Sequence, residues 1–486
     1  MKKKKILFDL NIAHKSCGLS GISQETRFLF DIFSHSKNFE IDGLIYSSKR
    51  FSQKFKNLND LVSQSILLGF GLSDEKIPSH PNPLVQLFMR KLPTFFKIFS
   101  VLQEFKYRRF KTVPLHKNLD FAQIWRLFFQ SSLPFEEWDL LSKNRYLLTN
   151  LSLSRLHSTF LSPRLNTKGY DFAVFSYLRS LKLSPGTTPI IRYHDGIPLF
   201  QSDTVISSRS ASIHSNLIKH HERTSIFVCN SPSSLTDLEK ISPIAAQKAC
   251  VIPCIVPKMN RVETSRTILL RILQQFVSPF SLEASKNGDP INSWLGKSES
   301  IPKFILTLSS IEPRKNHLGL INAWENLKFH SNEAPKILIV GSLGWNYDPI
   351  LAAMKPLIAS GDLLHLEKVS QDYLPYLYSA ATCFVFPSFA EGFGLPPCEA
   401  MQCECPLALS DIPAHRYVAQ DAALYFSPYD RTGMSHALKT LTSTDRNSSF
   451  IKDLTEKGLR SVKRFEKSEI LSQWESLFDS FSKSSR

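Results

Sequence analysis

The stretch TCFVFPSFAEGFGLPPCEAMQC, Thr382 to Cys403, decides how the rest of the chain is read. Thr382 to Ser388 is a short apolar run rich in β-formers, and Pro396-Pro397 followed by Cys-Glu-Ala-Met-Gln reads as the first turn of a helix, where proline is tolerated. Between them lies a sharp strand-to-helix loop. Its Gly392 and Gly394 allow backbone angles closed to other residues and let a ligand reach the main chain, while the following helix turns its positive end to the same spot. Such a corner suits a phosphate. Two carboxylates frame it, Glu391 in the loop and Glu399 in the helix, with seven residues between them.

The string SFAEGFGLPPCEAM resembles the signature of retaining glycosyltransferases of the large family 4 type, in which a glutamate, seven residues and a second glutamate hold the nucleotide-sugar donor. The resemblance implies that Glu391 orients the sugar, that Glu399 holds the ribose, and that Gly392, Phe393, Gly394 and Leu395 face the diphosphate. Read without it, Glu391 is a solvated loop residue and Glu399 a helix N-terminal acid worth about 0.3 kcal/mol.

A chain of 486 residues is too long for one ordinary core and implies two domains of about 200 residues each. An apolar content of 42% with 21% charge fits a well-buried globular protein. The net charge of +16 points to anionic partners: phosphorylated substrates, an acidic membrane surface or nucleic acid. Eight cysteines without paired zinc spacing read as reduced thiols of a cytosolic protein. The opening MKKKKILFDLNI is cut by Asp9 and Asn11 and reads as a first strand, not a signal peptide. No uncharged run reaches the roughly 18 residues that span a bilayer.

Lys4 to Leu10 predicts a strand, Ile22 to Phe33 a helix and Phe39 to Ser47 a second strand. Gly18 and Gly21 stand in the loop before that helix, and the SGIS segment resembles the acceptor-side glycine loop of the same family. From Arg50 to about Arg164 the pattern loosens into a segment of helical character broken by prolines. Within it, Leu84 to Lys111 mixes aromatics with Arg90, Lys91, Lys97, Lys106, Arg108, Arg109 and Lys111 against the single acid Glu104. Such a helix either lies in an anionic membrane interface or packs its apolar face on the N-terminal domain with a solvated basic face. DFAVFS, TPIIRYHD and TSIFVCNS read as strands, Ser231 to Ile241 as a capped helix and Cys250 to Val256 as another strand. His194 and Asp195 follow a strand and stand at its carboxyl edge, where open α/β sheets bind ligands. RYHDGIP resembles the His-Asp-x-x-Pro segment of family 4 mannosyltransferases, whose histidine lines the reaction centre; a satisfied buried histidine is the plain alternative.

Residues 259–300 read as a linker with an extra helix, Thr267 to Val277. A regular unit follows, with strands at Phe304 to Ser310, Lys336 to Ser342, Leu363 to Val369, Cys383 to Ser388, Pro406 to Ser410 and Ala423 to Phe426. Alternation with helices predicts a parallel sheet with right-handed crossovers. Arg314 and Lys315 fall in its first strand-helix loop, where cations can neutralise a diphosphate. EPRKN is similar to the family's donor-phosphate motif, in which the lysine is the principal contact. GSLGWNY resembles the Gly-x-x-Gly-Trp turn of the mannosyltransferase-like branch, and Ser370 and Asp372 stand at a helix start near the place of the nucleobase. The chain departs from the family at Ser309, where many members have arginine, and at Glu404, where most have glycine. It departs again in IPAHRYVAQDAALYF, with His415 and Gln420 in place of commoner residues.

The resemblance implies an α/β protein of GT-B architecture, two facing Rossmann-like domains with a deep interdomain cleft and a helical insertion in the N-terminal domain. The boundaries are 1–258 for the acceptor domain with its insertion at 50–165, 259–300 for the linker, 301–465 for the donor domain and 466–486 for a helix crossing back. The expected reaction moves a hexose, with mannose the branch's sugar, from a GDP- or UDP-sugar to a glycan or lipid-linked hydroxyl, with retention. Catalytic roles fall to Glu391, His194 and Lys315; Arg314 and Ser370 join the donor side, Gly21 and Asp195 the acceptor side. No Asp-x-Asp pair occurs, so no metal and no cofactor are expected. The partners are the donor, the acceptor and an anionic membrane surface at residues 84–111, not nucleic acid; the place is the cytoplasm, peripheral on the inner membrane face. Other readings are a GT-B phosphorylase or sucrose-type synthase, and a degenerate GT-B protein that acts as a nucleotide-sugar-binding or membrane-associated non-catalytic protein.

Overall fold

Six short apolar runs between Phe304 and Phe426 become six strands: β11 (Phe304–Leu308), β12 (Lys336–Val340), β13 (Leu363–Leu366), β14 (Cys383–Phe386), β15 (Leu407–Ser410) and β16 (Ala423–Phe426). Every pairing is parallel and the order is β13-β12-β11-β14-β15-β16. Sequence order therefore reverses between β11 and β14, as it does in dinucleotide-binding sheets. Runs such as Cys383-Phe384-Val385-Phe386 are apolar throughout because both faces of this sheet are covered. The computed structural model describes residues 3–14, 21–46, 109–110, 112–114, 121–149, 162, 164–201, 209–285, 288–331 and 334–483.

The chain divides into two compact units. One comprises residues 1–193, 215–228 and 242–249; the other comprises 194–214, 229–241 and 250–486. The first sheet runs β10-β9-β8-β7-β1-β2-β5-β4, with β10 (Cys250–Val251) and β9 (Ile226–Cys229) at one side and β5 (Arg145–Thr149) and β4 (Thr112–Pro114) at the other. Its central strands are β1 (Lys4–Asp9), β2 (Phe39–Tyr46), β7 (Phe172–Phe175) and β8 (Thr188–Tyr193), all parallel. The helix Gly21–His35 buries nearly its whole length, charges included. Glu25 pairs with Arg192, which donates through Nε at 2.9 Å, and Arg27 donates Nε to the carbonyls of Ala13 and Phe128. Buried charges persist only with such partners. Together the units give an α/β fold of the GT-B type, two largely parallel sheets with helices.

Three expectations need correction. The segment from Arg50 to Arg164 is not helical throughout: β5 (Arg145–Thr149) runs parallel to β2, and β4 (Thr112–Pro114) pairs antiparallel with β5. β5 carries only Tyr146-Leu147-Leu148 as its apolar run, too short to distinguish strand from helix by period, and pairing with β2 decides it. Arg109–Phe110, at the end of the basic aromatic segment, is a strand paired with Arg164–Leu165; residues 84–108 and Lys111, which carry the membrane reading, lie outside the described residues. Among the described residues no helix is long and apolar enough to cross a membrane. Second, the strand at Cys250 stops at Val251, since Pro253 and Pro257 offer no N–H, and the Val256 N–H turns to the Phe465 carbonyl.

Third, residues 259–300 form three helices, Arg266–Phe276, Pro279–Ala284 and Pro290–Leu295, that belong to the second unit. Ser265, Ser278 and Asp289 cap their starts. Leu269, Ile272, Leu273 and Trp294 enter the core of the second sheet, and the indole N–H of Trp294 donates to the Ile337 carbonyl at 3.0 Å. At the other end, the helix Lys467–Lys483 buries Trp474 and Phe478 completely.

Glu404 and Gln420, two departures from the family pattern, both take left-handed backbone angles, with φ of 52° and 49°. These are the angles that favour glycine at a helix end. The Glu404 side chain makes a half-exposed ion pair with Arg261 at 3.3 Å, which contributes little. Glu404→Gly should therefore raise stability by about 1 kcal/mol, a melting point about 2–4 °C higher in a thermal unfolding scan. A lower melting point would mean that the Arg261 pair outweighs the backbone strain.

Candidate functional site

The strand-helix loop after β11 turns through a short 3-10 helix, Pro313–Lys315, and ends at Asn316, whose φ of 58° is left-handed. Asn316 holds the loop in place. Its side-chain oxygen caps the helix His317–Phe329 at Gly319, and its amide donates to the carbonyls of Pro387 at 3.1 Å and Pro428 at 2.9 Å. The loop after β11 is thus tied to the loop after β14, and β11 and β14 are neighbours in the sheet. Lys315 and Glu391, 76 positions apart, meet at 2.6 Å.

Around that contact lies a compact set of charges. The Arg314 guanidinium stands 2.9 Å from Glu391, donates to the Ala390 carbonyl at 2.7 Å and to Glu312 at 2.8 Å. Glu312 is buried and also accepts from the Ser310 hydroxyl at 2.8 Å. Burial works against the Glu391 carboxylate, yet Arg314 and Lys315 more than offset it and hold its pKa far below the usual range. Burial lowers the pKa of Lys315 and the neighbouring Arg314 lowers it further, against the pull of Glu391. The Lys315 ammonium also sits 5.0 Å from the ring centre of Phe386, the last residue of β14. Two basic side chains and an ionised carboxylate therefore stand together at the carboxyl edge of a parallel sheet.

The glycines bring the main chain close. Gly394, with φ of 98°, is the N-cap of the helix Leu395–Gln402. At Gly392 a Cβ would stand 2.2 Å from the His194 carbonyl oxygen, so only glycine fits, and the Gly392 carbonyl accepts from the Ser231 hydroxyl at 2.6 Å. These residues share the second unit. His194 and Asp195, both half-buried, are thereby brought beside the loop, and the Asp195 charge reaches Arg314. Asp195 also accepts from the Ile197 amide at 3.1 Å.

Other expected residues stand elsewhere. Phe393 is buried against Phe465 at 5.1 Å and Tyr417 at 6.3 Å, so its side chain packs and only its main chain is available to a ligand. Leu395 opens the helix and is buried. Ser370 precedes the turn Gln371–Tyr373, its hydroxyl 3.3 Å from Asp372. Gly21 is exposed at the start of its helix, and Gly18 lies outside the described residues. Ser309, in the place of the family's arginine, contacts His317 Nε2 at 3.2 Å. Glu312, Asn316, Phe386 and His415 were not singled out as site residues by the sequence. Glu312 sits in the EPRKN string, three residues before Lys315, and could have been found from it; the others become neighbours only through the sheet.

Glu399 is buried and accepts from the Tyr378 hydroxyl at 2.9 Å. Burial raises its pKa from 4.5 to about 7, and the Tyr378 hydrogen bond offsets this only in part. The folded chain thus holds this proton more tightly than the unfolded one. The resulting stabilisation is complete below the ordinary value of 4.5 and is lost as pH rises through about 7. Glu399→Gln, which keeps the acceptor for Tyr378, should be more stable than wild type at pH 8 by roughly 3 kcal/mol and equal to it near pH 4. Thermal unfolding at the two pH values checks this; the same difference at both would mean that Glu399 does not titrate there.

Comparison with known proteins places this geometry in context. Residues 294–457 match the family described as glycosyl transferases group 1. The O-antigen chain mannosyltransferase B of Escherichia coli is 35% identical over 163 residues, 33% of this chain and 42% of that protein. The O-antigen chain mannosyltransferase RfbU of Salmonella typhimurium is 29% identical over 188 residues, 38% of this chain and 52% of that protein. The match thus spans about half or less of these curated relatives. Among solved structures, sucrose-phosphate synthase from Thermosynechococcus elongatus shares the fold, with a TM-score of 0.56 at 14% identity, over 99% of this chain and all of that one.

Proposed function

We propose that this chain, whose residues 294–457 are a glycosyl transferases group 1 domain of the family 4, mannosyltransferase-like kind, is a retaining hexosyltransferase. It would take mannose from a nucleoside diphosphate sugar, a GDP- or UDP-sugar, to a hydroxyl of a glycan or lipid-linked acceptor. The observation that carries this reading is the meeting of Lys315, Arg314 and Glu391 beside the N-terminus of the helix Leu395–Gln402. Mannose is supported by the names of the bacterial relatives.

The barrier lies in parting the anomeric carbon from the diphosphate. That bond breaks with its electron pair leaving on the diphosphate, while positive charge develops on the sugar ring. The acceptor oxygen forms the new bond on the same face, and its proton passes to the departing phosphate oxygen. Fixed donors that need no reorganisation stabilise such charge separation best. Lys315 and Arg314 would meet the leaving diphosphate, together with the amides of Gly392 to Leu395 and the positive end of their helix. Glu391, held ionised, would orient the sugar hydroxyls and favour positive charge on the ring. Glu399, fixed by Tyr378, would hold the ribose. His194, beside Gly392, would contact the sugar or acceptor near the new bond, with Asp195 on the acceptor side. With two cations for the diphosphate the reaction would need no metal and no cofactor.

Glu391→Gln should reduce transfer from GDP-mannose or a UDP-hexose at least about a hundredfold in a protein that stays folded by circular dichroism. Substantial residual transfer would remove Glu391 from this role. Lys315→Ala should weaken binding of a nucleoside diphosphate more than of the nucleoside, read by isothermal titration; equal losses would mean that Lys315 does not touch the diphosphate. Transfer should persist in EDTA.

A further inference from the structure

His415 opens a second question about the same corner. It is fully buried in the helix Pro413–Ala419, its ring 5.3 Å from Phe386, the ring that also lies under the Lys315 ammonium. Its two nitrogens are in different situations. Nδ1 lies 2.9 Å from the Ser410 carbonyl and 3.0 Å from the Ser410 hydroxyl oxygen. A carbonyl can only accept, and the Ser410 hydroxyl spends its proton on the Ser388 carbonyl at 2.6 Å. Both atoms therefore require the proton on Nδ1. Burial keeps the ring neutral, with a pKa lowered to about 4, so Nε2 carries a lone pair.

Among the described residues that lone pair has no hydrogen-bond partner, although the atom is buried. A buried polar atom without a partner is costly and calls for a reason. Its position supplies one. Nε2 is 3.9 Å from the point where a Cβ on Gly394 would stand, and Gly394 is the N-cap of the helix Leu395–Gln402 in the phosphate corner. The charges of Glu391 and Lys315 both act on the ring. An acceptor lone pair is repelled by a phosphate oxygen and satisfied by a hydroxyl.

We propose that Nε2 of His415 accepts a hydrogen bond from a hydroxyl of the transferred sugar, making His415 a donor-sugar contact. The proposal rests on the donor assignment above and adds to it a second group, besides Glu391, that reads the sugar. Asparagine and glutamine at this position separate the two ends of the ring. His415→Asn can keep the donation to Ser410 but has nothing at the place of Nε2, whereas the longer glutamine can put its amide oxygen there.

The test is isothermal titration of wild type, H415N and H415Q with GDP-mannose and GDP, and with UDP-glucose and UDP. H415N should bind the nucleotide sugar about tenfold more weakly, with nucleoside diphosphate binding unchanged, and H415Q should recover most of the loss. A merely structural role predicts the opposite order of the two variants. Equal losses for sugar nucleotide and nucleoside diphosphate, or no loss in H415N, would overturn the proposal while leaving the donor site standing. Failure of wild type to bind any of the four would overturn the donor assignment and this inference with it. A measurement on wild type needs no variant: the nitrogen-15 resonance of His415 Nε2 should be that of an unprotonated nitrogen and should shift on adding the nucleotide sugar but not the diphosphate.

Discussion

The contact between Lys315 and Glu391, with Arg314 bridging Glu391 to Glu312, is the constraint on which the rest of the second unit's active edge depends. Bringing several charges out of water is expensive, and their mutual attraction compensates only when the geometry is close and the remaining polar atoms are bonded. The fold meets that condition through backbone. The Ala390 carbonyl takes one Arg314 donor, and the Phe389 amide donates to the Arg314 carbonyl at 2.9 Å. Asn316, in a left-handed conformation, fastens the first loop to the ends of two others. Breaking any of these would leave charge buried without a partner, so the loops after β11 and β14 are held as one piece.

The carboxylates of the pair separated by seven residues are shifted in opposite directions by their neighbourhoods. Glu391 has two cations against it and stays ionised, while Glu399 has a phenol and burial, which push its pKa up to about 7. Pairs of like groups driven apart in this way are common where a site divides labour. The histidines of the corner are similarly sorted. Burial and Lys315 bring His317 down to about 3, and burial brings His415 to about 4, so neither competes with the lysine for charge at neutral pH.

Much of this was legible in the residues. The strands of the second unit, the helix from Ser231 and the helix at Thr267 fall within a few positions of the reading, because short β-rich runs bounded by proline and glycine leave little choice. The glycine departures at Glu404 and Gln420 were visible too, and the structure gives their cost a location in left-handed angles. The region around β5 failed for the opposite reason. Its strand is a brief apolar run inside a segment with many aromatics, and only the unpaired edge of β2 makes it a strand. Within residues 259–300 the helices Pro279–Ala284 and Pro290–Leu295 were missed because six residues each are too few turns to display a period.

The sequence by itself determined the chemistry at hand: a glycine loop between strand and helix, two glutamates at fixed spacing and a cationic pair after another strand, each recognisable because it is local. Tertiary structure decided which of them meet. The order β12-β11-β14-β15 puts two strand ends side by side that lie far apart in the chain. That adjacency turned Lys315 toward Glu391, while the packing of the helices beside β14 and β15 left Glu399 to Tyr378 and set His415 Nε2 near Gly394. Such choices rest on long-range pairing and burial, which no window of neighbouring residues contains.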